Sequence, residues 1–291
     1  MQTLRIRHRT EYRYNRPLSF GEHRLMFRPR DSHDLRHVSS ELSLSPTAEV
    51  RWHHDVFSNS IAVAEFKEPS DHLVLESTVV VEHYGLEDTE FPIDIHAQRL
   101  PFTYSADEVG DLARTHERHY PDPEDRIVDW ANRCLEQGNG ETEKTLSAMT
   151  QIIREEFEYV TRNEEGTQAP DETLIKQQGT CRDFALLMIE AARTLGLAAR
   201  FVTGYLYDPN KTETSGLRGA GATHAWTQVF LPGAGWIEYD PTNGIIGGTN
   251  LIRVAVTRDP SQAIVVRGTY FGMPEDFMDM QVSVTVEKIN P

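Results

Sequence analysis

The sequence has very few cysteines: Cys134 and Cys181 in 291 residues. Two thiols so far apart build no disulfide framework, and no C-x-x-C pair is present to hold zinc. Long apolar runs are missing as well. Runs such as Val79-Val80-Val81 are strand-sized, and none approaches the length of a membrane span, so no membrane partner is expected. Met1 to Thr10 alternates apolar and basic residues and lacks the apolar core of a secretory signal. A cytoplasmic location with both thiols reduced is the expectation. Positive charge is scarce, with 29 Lys and Arg against 45 Asp and Glu, a formal charge of -16. That field repels phosphate backbones, so nucleic acid is not an expected partner. The exception is the N-terminus, where Arg5, Arg7, Arg9, Arg13 and Arg16 crowd together and read as a solvated strand face. His33 and His37, and His116 and His119, have helix-like spacings. Neither pair has a Cys or carboxylate at recognisable ligand spacing, so no metal or other cofactor is expected.

A chain this long exceeds the size at which one core usually stops growing, which predicts two domains. From Leu4 to Tyr14, apolar and charged residues alternate with the period of a half-buried strand. Strand-like runs follow at Arg24–Phe27, Val38–Leu44, Val50–Trp52, Ile61–Phe66 and Leu73–His83, punctuated by Pro29, Pro46 and Pro69. This is the pattern of a β-sandwich. Leu86 to Phe102 reads as a linker, and the division is drawn as residues 1–95 and 96–291. Asp122-Pro123 then reads as a helix start, followed by Ile127, Trp130, Ala131, Cys134 and Leu135 at helical spacing. A second helix carries Leu146, Met149, Ile152, Ile153 and Phe157. A third opens at Cys181 and is apolar nearly all round to Leu195, which predicts a buried central helix capped by Gly196-Leu197. Strands are expected at Ala199–Leu206, Thr223–Leu231, Gly235–Asp240, Leu251–Thr257 and Gln281–Ile289. The second domain is therefore α+β.

Cys181 follows Gly179-Thr180, and Thr180 and Asp183 stand in capping-box spacing. A thiol at a helix N-terminus feels partial positive charge, which favours thiolate, and the free first-turn N–H groups can donate to an oxyanion. Asp183 opposes that charge and Arg182 restores part of it. Cys134, placed mid-helix among apolar residues, reads as an inert core thiol. A thiolate nucleophile needs a base, and the base needs an orienting acceptor. His224 and Asp240 flank the turn residues Leu231-Pro232-Gly233-Ala234-Gly235. A hairpin centred on Pro232 makes them directly opposed, and one centred on Gly233 makes them diagonal neighbours on one face. A half-integer centre puts them on opposite faces and breaks the set.

Three runs then match a known family. Gln178-Gly179-Thr180-Cys181-Arg182-Asp183-Phe184-Ala185 resembles the nucleophile motif of the transglutaminase-like superfamily, Thr223-His224-Ala225-Trp226 its histidine motif, and Glu238-Tyr239-Asp240-Pro241-Thr242 its aspartate motif. Glu22-His23-Arg24-Leu25 and Asp55-Val56-Phe57-Ser58-Asn59 resemble the β-sandwich N-terminal domain of the bacterial members, with Ser58 where that family has glycine. Val254 to Asp259 and Arg267 to Gly272 resemble their C-terminal segment. The resemblance implies a papain-like core, a central helix on an antiparallel sheet, with Cys181, His224 and Asp240 catalytic. It implies acyl transfer on a peptide or amide substrate through a thioester. Hydrolysis is favoured over amine transfer, since excluding water demands a shielded site that is not visible in the sequence. A protein-glutamine transglutaminase and a catalytically inactive binding protein are the alternatives. The Cys181 N–H is one expected oxyanion donor, and Gln177 or Gln178 the second. Trp226 reads as a core residue that can also cover the thiol–imidazole pair. The polar loop from Asp208 to Ala222 is expected to border the cleft.

Overall fold

A computed structural model describes residues 1–85, 91–161, 166–209, 217–218, 221–248 and 250–289. The alternation that begins at Leu4 builds β1 (Gln2–Phe20), with Leu4, Ile6, His8 and Thr10 buried. After it come β2 (His23–Leu25), β3 (Leu35–Ser45), β4 (Ala48–His54), β5 (Ser60–Phe66) and β6 (Ser70–His83). One sheet contains β1, β6 and β3, and a second contains β2, β5 and β4. Tyr14, Leu18, Phe20, Phe27, Leu73 and Leu75 cluster as their shared core. The basic face of β1 is paired with acid: Arg9 with Glu11 and Glu76, and Arg13 with Glu11.

The middle of the chain is helical: α1 (Ala106–Leu112), α2 (Arg126–Gln137), α3 (Thr142–Glu156), then β7 (Glu158–Tyr159), α4 (Pro170–Lys176), β8 (Gln178–Gly179) and α5 (Cys181–Thr194). It is followed by β9 (Ala199–Leu206), β10 (His224–Leu231), β11 (Gly235–Asp240), β12 (Ile245–Ile246) and β13 (Leu251–Thr257). These five strands form one antiparallel sheet in the order β12-β11-β10-β9-β13. α5 packs against this sheet and α2, its residues Phe184 to Ala192 all fully buried. Its end follows the expected cap: Gly196 adopts φ +83°, and the Leu197 N–H donates back to the Ala192 carbonyl at 3.0 Å. The architecture is α+β, a sheet region followed by a helix-on-sheet core.

Several expectations change. α2 begins at Arg126, not at Pro123, because Asp125 takes a left-handed φ of +53° and interrupts the chain there. Asp122 still caps the helix, its Oδ2 accepting the N–H groups of Ile127 and Val128 at 3.1 and 3.2 Å. Within the expected linker, residues 86–90 lie outside the described residues. The rest of it buries Ile93 and Ala97 in the helical core. In the loop from Asp208 to Ala222, residues 210–216 and 219–220 lie outside them too. The strand expected at Gln281–Ile289 is longer, β16 (Phe277–Ile289), and it joins the first sheet rather than the second: Thr3 faces Ile289 and Gln281 faces Glu11. β14 (Val266–Arg267) and β15 (Tyr270–Phe271) likewise pair with β2 and β1.

The two regions share a core. Leu4, Ile6, Val79 and Val81 pack with Tyr205, Ile252 and Val254. Polar contacts pin the joint. The Asn59 amide donates to the Val256 carbonyl at 2.7 Å and accepts its N–H at 2.9 Å. Ser58, which stands where glycine was expected, has φ +62°, a region that costs little for glycine alone. Arg253 makes two hydrogen bonds to Asp34, 2.6 and 2.9 Å, across the same joint. Burial pushes the Asp34 carboxyl up, but the Arg253 hydrogen bonds and charge outweigh it and hold the group well below the usual carboxylate range. A depressed carboxyl stabilises the fold above its unfolded pKa of about 3.9 and loses that contribution as pH falls through the native value. Asp34→Asn should therefore cost about 2 kcal/mol at pH 7, read by urea denaturation. The gap from wild type should shrink below about pH 3, and a gap that widens on acidification would contradict the assignment.

Candidate active site

Asp183 fixes the chain just before α5. Its Oδ2 accepts the Thr180 N–H at 2.8 Å and the Thr180 hydroxyl at 2.9 Å, and its Oδ1 accepts the Gln168 N–H at 2.7 Å. A Cβ on Gly179 would lie 2.9 Å from the Asp183 Cβ, so this turn needs glycine. Arg182 turns away, donating to the Pro260 carbonyl at 2.8 Å and stacking 5.0 Å from the Phe201 ring centre. Asp183 is thus engaged in holding the turn, and Arg182 in contacts away from it. They leave Cys181 as the first residue of the helix, 7 % exposed.

The hairpin chooses its register. Thr227 faces Tyr239 and Leu231 faces Gly235, so the centre is Gly233, which adopts φ +83°. Continued outward, Asp240 opposes Trp226, and His224 is its diagonal neighbour on the same face. His224 Nε2–H donates to Asp240 Oδ2 at 2.8 Å, and neither side chain is exposed. The carboxylate is further satisfied by the Thr242 N–H at 3.0 Å and the Asn243 Nδ2 at 2.9 Å. Burial lowers the His224 pKa, but the charge and hydrogen bond of Asp240 raise it more. Cys181, close enough to interact with the ring, adds in the same direction, and the imidazole is raised to about 10. The ring's Nδ1 is buried, and among the described residues nothing other than Cys181 is offered to it as a partner. Cys181, His224 and Asp240, read separately from the sequence, are brought together.

Trp226 is the core residue expected, and it also covers the imidazole. It is fully buried beside Val202 and Leu251, and its ring stacks on His224 with centres 5.9 Å apart. Its Nε1–H donates to Glu238, which also accepts from Gln228 Nε2 at 2.8 Å. Gly204, opposite His224 on β9, makes room for the indole: a Cβ there would lie 2.7 Å from Trp226 Cη2 and 2.1 Å from the Ile252 carbonyl oxygen. Gln177 is exposed and its N–H is already spent on the Thr173 carbonyl at 2.9 Å. Cys134 is fully buried, and burial pushes its thiol up to about 12.

Two residues of the site escaped the sequence reading. Asn243 bridges Asp240 to Arg218, accepting the Arg218 N–H at 2.7 Å. Its position three residues after the aspartate, in a turn, was the available signal. Tyr159 pairs with Gly179 in the short parallel ladder of β7 and β8. Burial, then the charges of Cys181 and Asp240, push its hydroxyl up to about 12, against a smaller opposing effect of Arg218. A two-residue strand carries no periodicity from which to find it.

Residues 4–82 match the family model described as the bacterial transglutaminase-like N-terminal region, and residues 128–241 match the transglutaminase-like superfamily model. The chain belongs to the transglutaminase-like superfamily. An uncharacterized protein of Mycobacterium leprae is 27% identical over 288 residues, covering 98% of this chain and 99% of its own. One from Mycobacterium tuberculosis is 28% identical over 289 residues, covering 97% and 91%. The crystal structure of a candidate cysteine protease from Cytophaga hutchinsonii superposes with a TM-score of 0.72 at 18% identity, covering 100% of this chain and 91% of that one. The two share their fold over the whole of this chain.

The raised imidazole is directly testable. Nitrogen-15 NMR should find His224 protonated at pH 8, and less so in Cys181→Ala. A ring neutral at pH 8 would contradict the electrostatics described. By linkage, a raised base stabilises the fold fully below its unfolded pKa of about 6.5 and loses that contribution as pH rises through the folded value of about 10.

Proposed function

We propose that this chain is a cysteine-dependent acyl-transfer enzyme that cleaves an amide substrate through a thioester, with water as the usual acceptor. The observation that carries the reading is the His224 ring: Nε2 is held by Asp240, Nδ1 has no other partner among the described residues, and Cys181 lies within interacting distance. Asp240 fixes the tautomer and stabilises the charged imidazole. The Cys181 sulfur, its proton given to His224 Nδ1, attacks the carbonyl carbon, and the oxygen takes the electron pair. The Cys181 N–H, which opens the helix, donates to that oxyanion. Collapse breaks the C–N bond, and His224 returns its proton to the departing amine. Water then attacks the thioester with His224 as base, releasing a carboxylic acid and restoring the thiol.

The peptidase or amidase reading agrees with the description of the Cytophaga hutchinsonii neighbour as a candidate cysteine protease. Both cysteines are free, which fits a reducing, cytoplasmic compartment as its proposed location. No helix among the described residues is long and apolar enough to cross a membrane.

Iodoacetamide at pH 6 should label Cys181 and spare Cys134, read by peptide mass mapping. Equal, slow labelling of both would remove the nucleophile, as would amidase activity that survives Cys181→Ala. With a primary amine supplied alongside a peptide amide, the carboxylate should dominate the products; predominant amine incorporation would make the chain a transglutaminase instead. For the second oxyanion donor, Tyr159 joins Gln178, because its hydroxyl stays protonated and interacts with both Cys181 and Asp240. Tyr159→Phe should lower kcat by about 100-fold with KM little changed, the usual loss for one such donor. An unchanged kcat would return the role to Gln178.

A further inference from the structure

On the face of the β10–β11 hairpin that carries Trp226 and Glu238, away from α5, a cavity of about 550 Å³ opens between the 30–34 loop of the first region and strands β11 and β13. That is the size of an ordinary small-ligand site. Neither Cys181, His224 nor Asp240 lines it. Two of its arginines differ sharply. Arg253 is neutralised, hydrogen-bonded to Asp34 and to Glu238 at 2.7 Å. Arg200 has no carboxylate within ion-pair distance among the described residues. Its Nε donates to Gln228 Oε1 at 2.7 Å, and its guanidinium lies 3.9 Å from the Trp236 ring centre. Glu238, the nearby acid that could have paired with it, is committed to Trp226, Gln228 and Arg253. Burial lowers the Arg200 guanidinium to about 9, still charged at neutral pH. Glu238 favours this charge without forming an ion pair with it. Among the described residues the side chain's hydrogen bond is the one from Nε to Gln228, and the residue lines the cavity. The stack on Trp236 and the bond to Gln228 fix the plane of the fork in advance.

We propose that this cavity binds a small molecule bearing a carboxylate, received by the free Nη edge of Arg200 as a two-point hydrogen-bonded pair. The charge of the lining argues for a monoanion over a phosphate. Arg30, Arg200 and Arg253 are matched in number by Asp31, Asp34 and Glu238, so a dianion would meet three carboxylates with no excess of positive charge. The site is independent of the thiol chemistry proposed above.

The test is isothermal titration of the full chain with benzoate, with benzamide and inorganic phosphate as controls. Saturable binding of benzoate, and weaker binding of both controls, is expected. Arg200→Gln should weaken benzoate by at least about tenfold, the value of a charged hydrogen-bonded pair, while Arg200→Lys should retain part of it. Gly248→Leu is the second variant. A Cβ at Gly248 meets only Glu238 Cγ at 3.6 Å and Asp34 Oδ2 at 3.9 Å, so the longer side chain projects into the space and should block benzoate with Arg200 intact. If Arg200→Gln does not fold, Gly248→Leu decides. No saturable benzoate binding, equal binding of benzamide, tighter binding of phosphate, or full binding in the folded variants would overturn the proposal.

Discussion

The His224–Asp240 hydrogen bond is made wholly out of contact with water, and much of the second region exists to keep it so. In that setting an ion pair is worth keeping only if the carboxylate's other lone pairs are also satisfied. Asn243 and the backbone of the turn after Asp240 supply those bonds. Removing one partner of such a pair leaves a buried charge and costs about 3–5 kcal/mol. The hairpin centre at Gly233 decides whether the two side chains meet at all, because a shift of one residue would send one of them to the other face of the sheet. The same alternation turns Thr227 toward α5, where its hydroxyl donates to the Ala185 carbonyl at 3.0 Å and ties the sheet to the helix that carries Cys181.

From this centre, order spreads through Trp226. Its ring covers His224, and its N–H is held by Glu238. Glu238 in turn is held by Arg253, and Arg253 by Asp34 of the first region. A ring stack on the imidazole, continued by polar contacts from Trp226 through Glu238 and Arg253, therefore runs to the joint between the two regions. It gives the β-sandwich a physical reason to accompany the core: without Asp34, Arg253 and Glu238 lose a partner that sets their positions.

The elements that proved legible in the sequence are those with a sustained period. β1 showed itself by alternation, and α5 by being apolar all round between a capping box and a Gly-Leu end. The site was legible because its three side chains each sit at an element boundary marked by glycine, threonine or proline. What stayed hidden has a common cause: it depends on contacts distant in sequence. β16 has the same half-polar pattern whether it joins one sheet or the other, and only its pairing with β1 shows which. Asp122 caps α2 from outside its first turn, so the cap residue and the helix start separate. Tyr159 lies in a strand too short to announce itself, and Asn243 reads as an ordinary turn residue until Asp240 is seen beside it.

The pairing of β1 with β16 has a consequence for how the protein is made. β1 lies between β6 and β16, and Thr3 lies opposite Ile289. During translation the first region can form its β1–β6 contacts early, yet one long edge of β1 waits for a strand delivered only after the entire helical and catalytic region has emerged. Until then that edge presents unpaired backbone groups, the kind of surface that recruits foreign strands and chaperones. The first sheet cannot be completed before the thiol-bearing core has been synthesised, because its last strand follows that core along the chain.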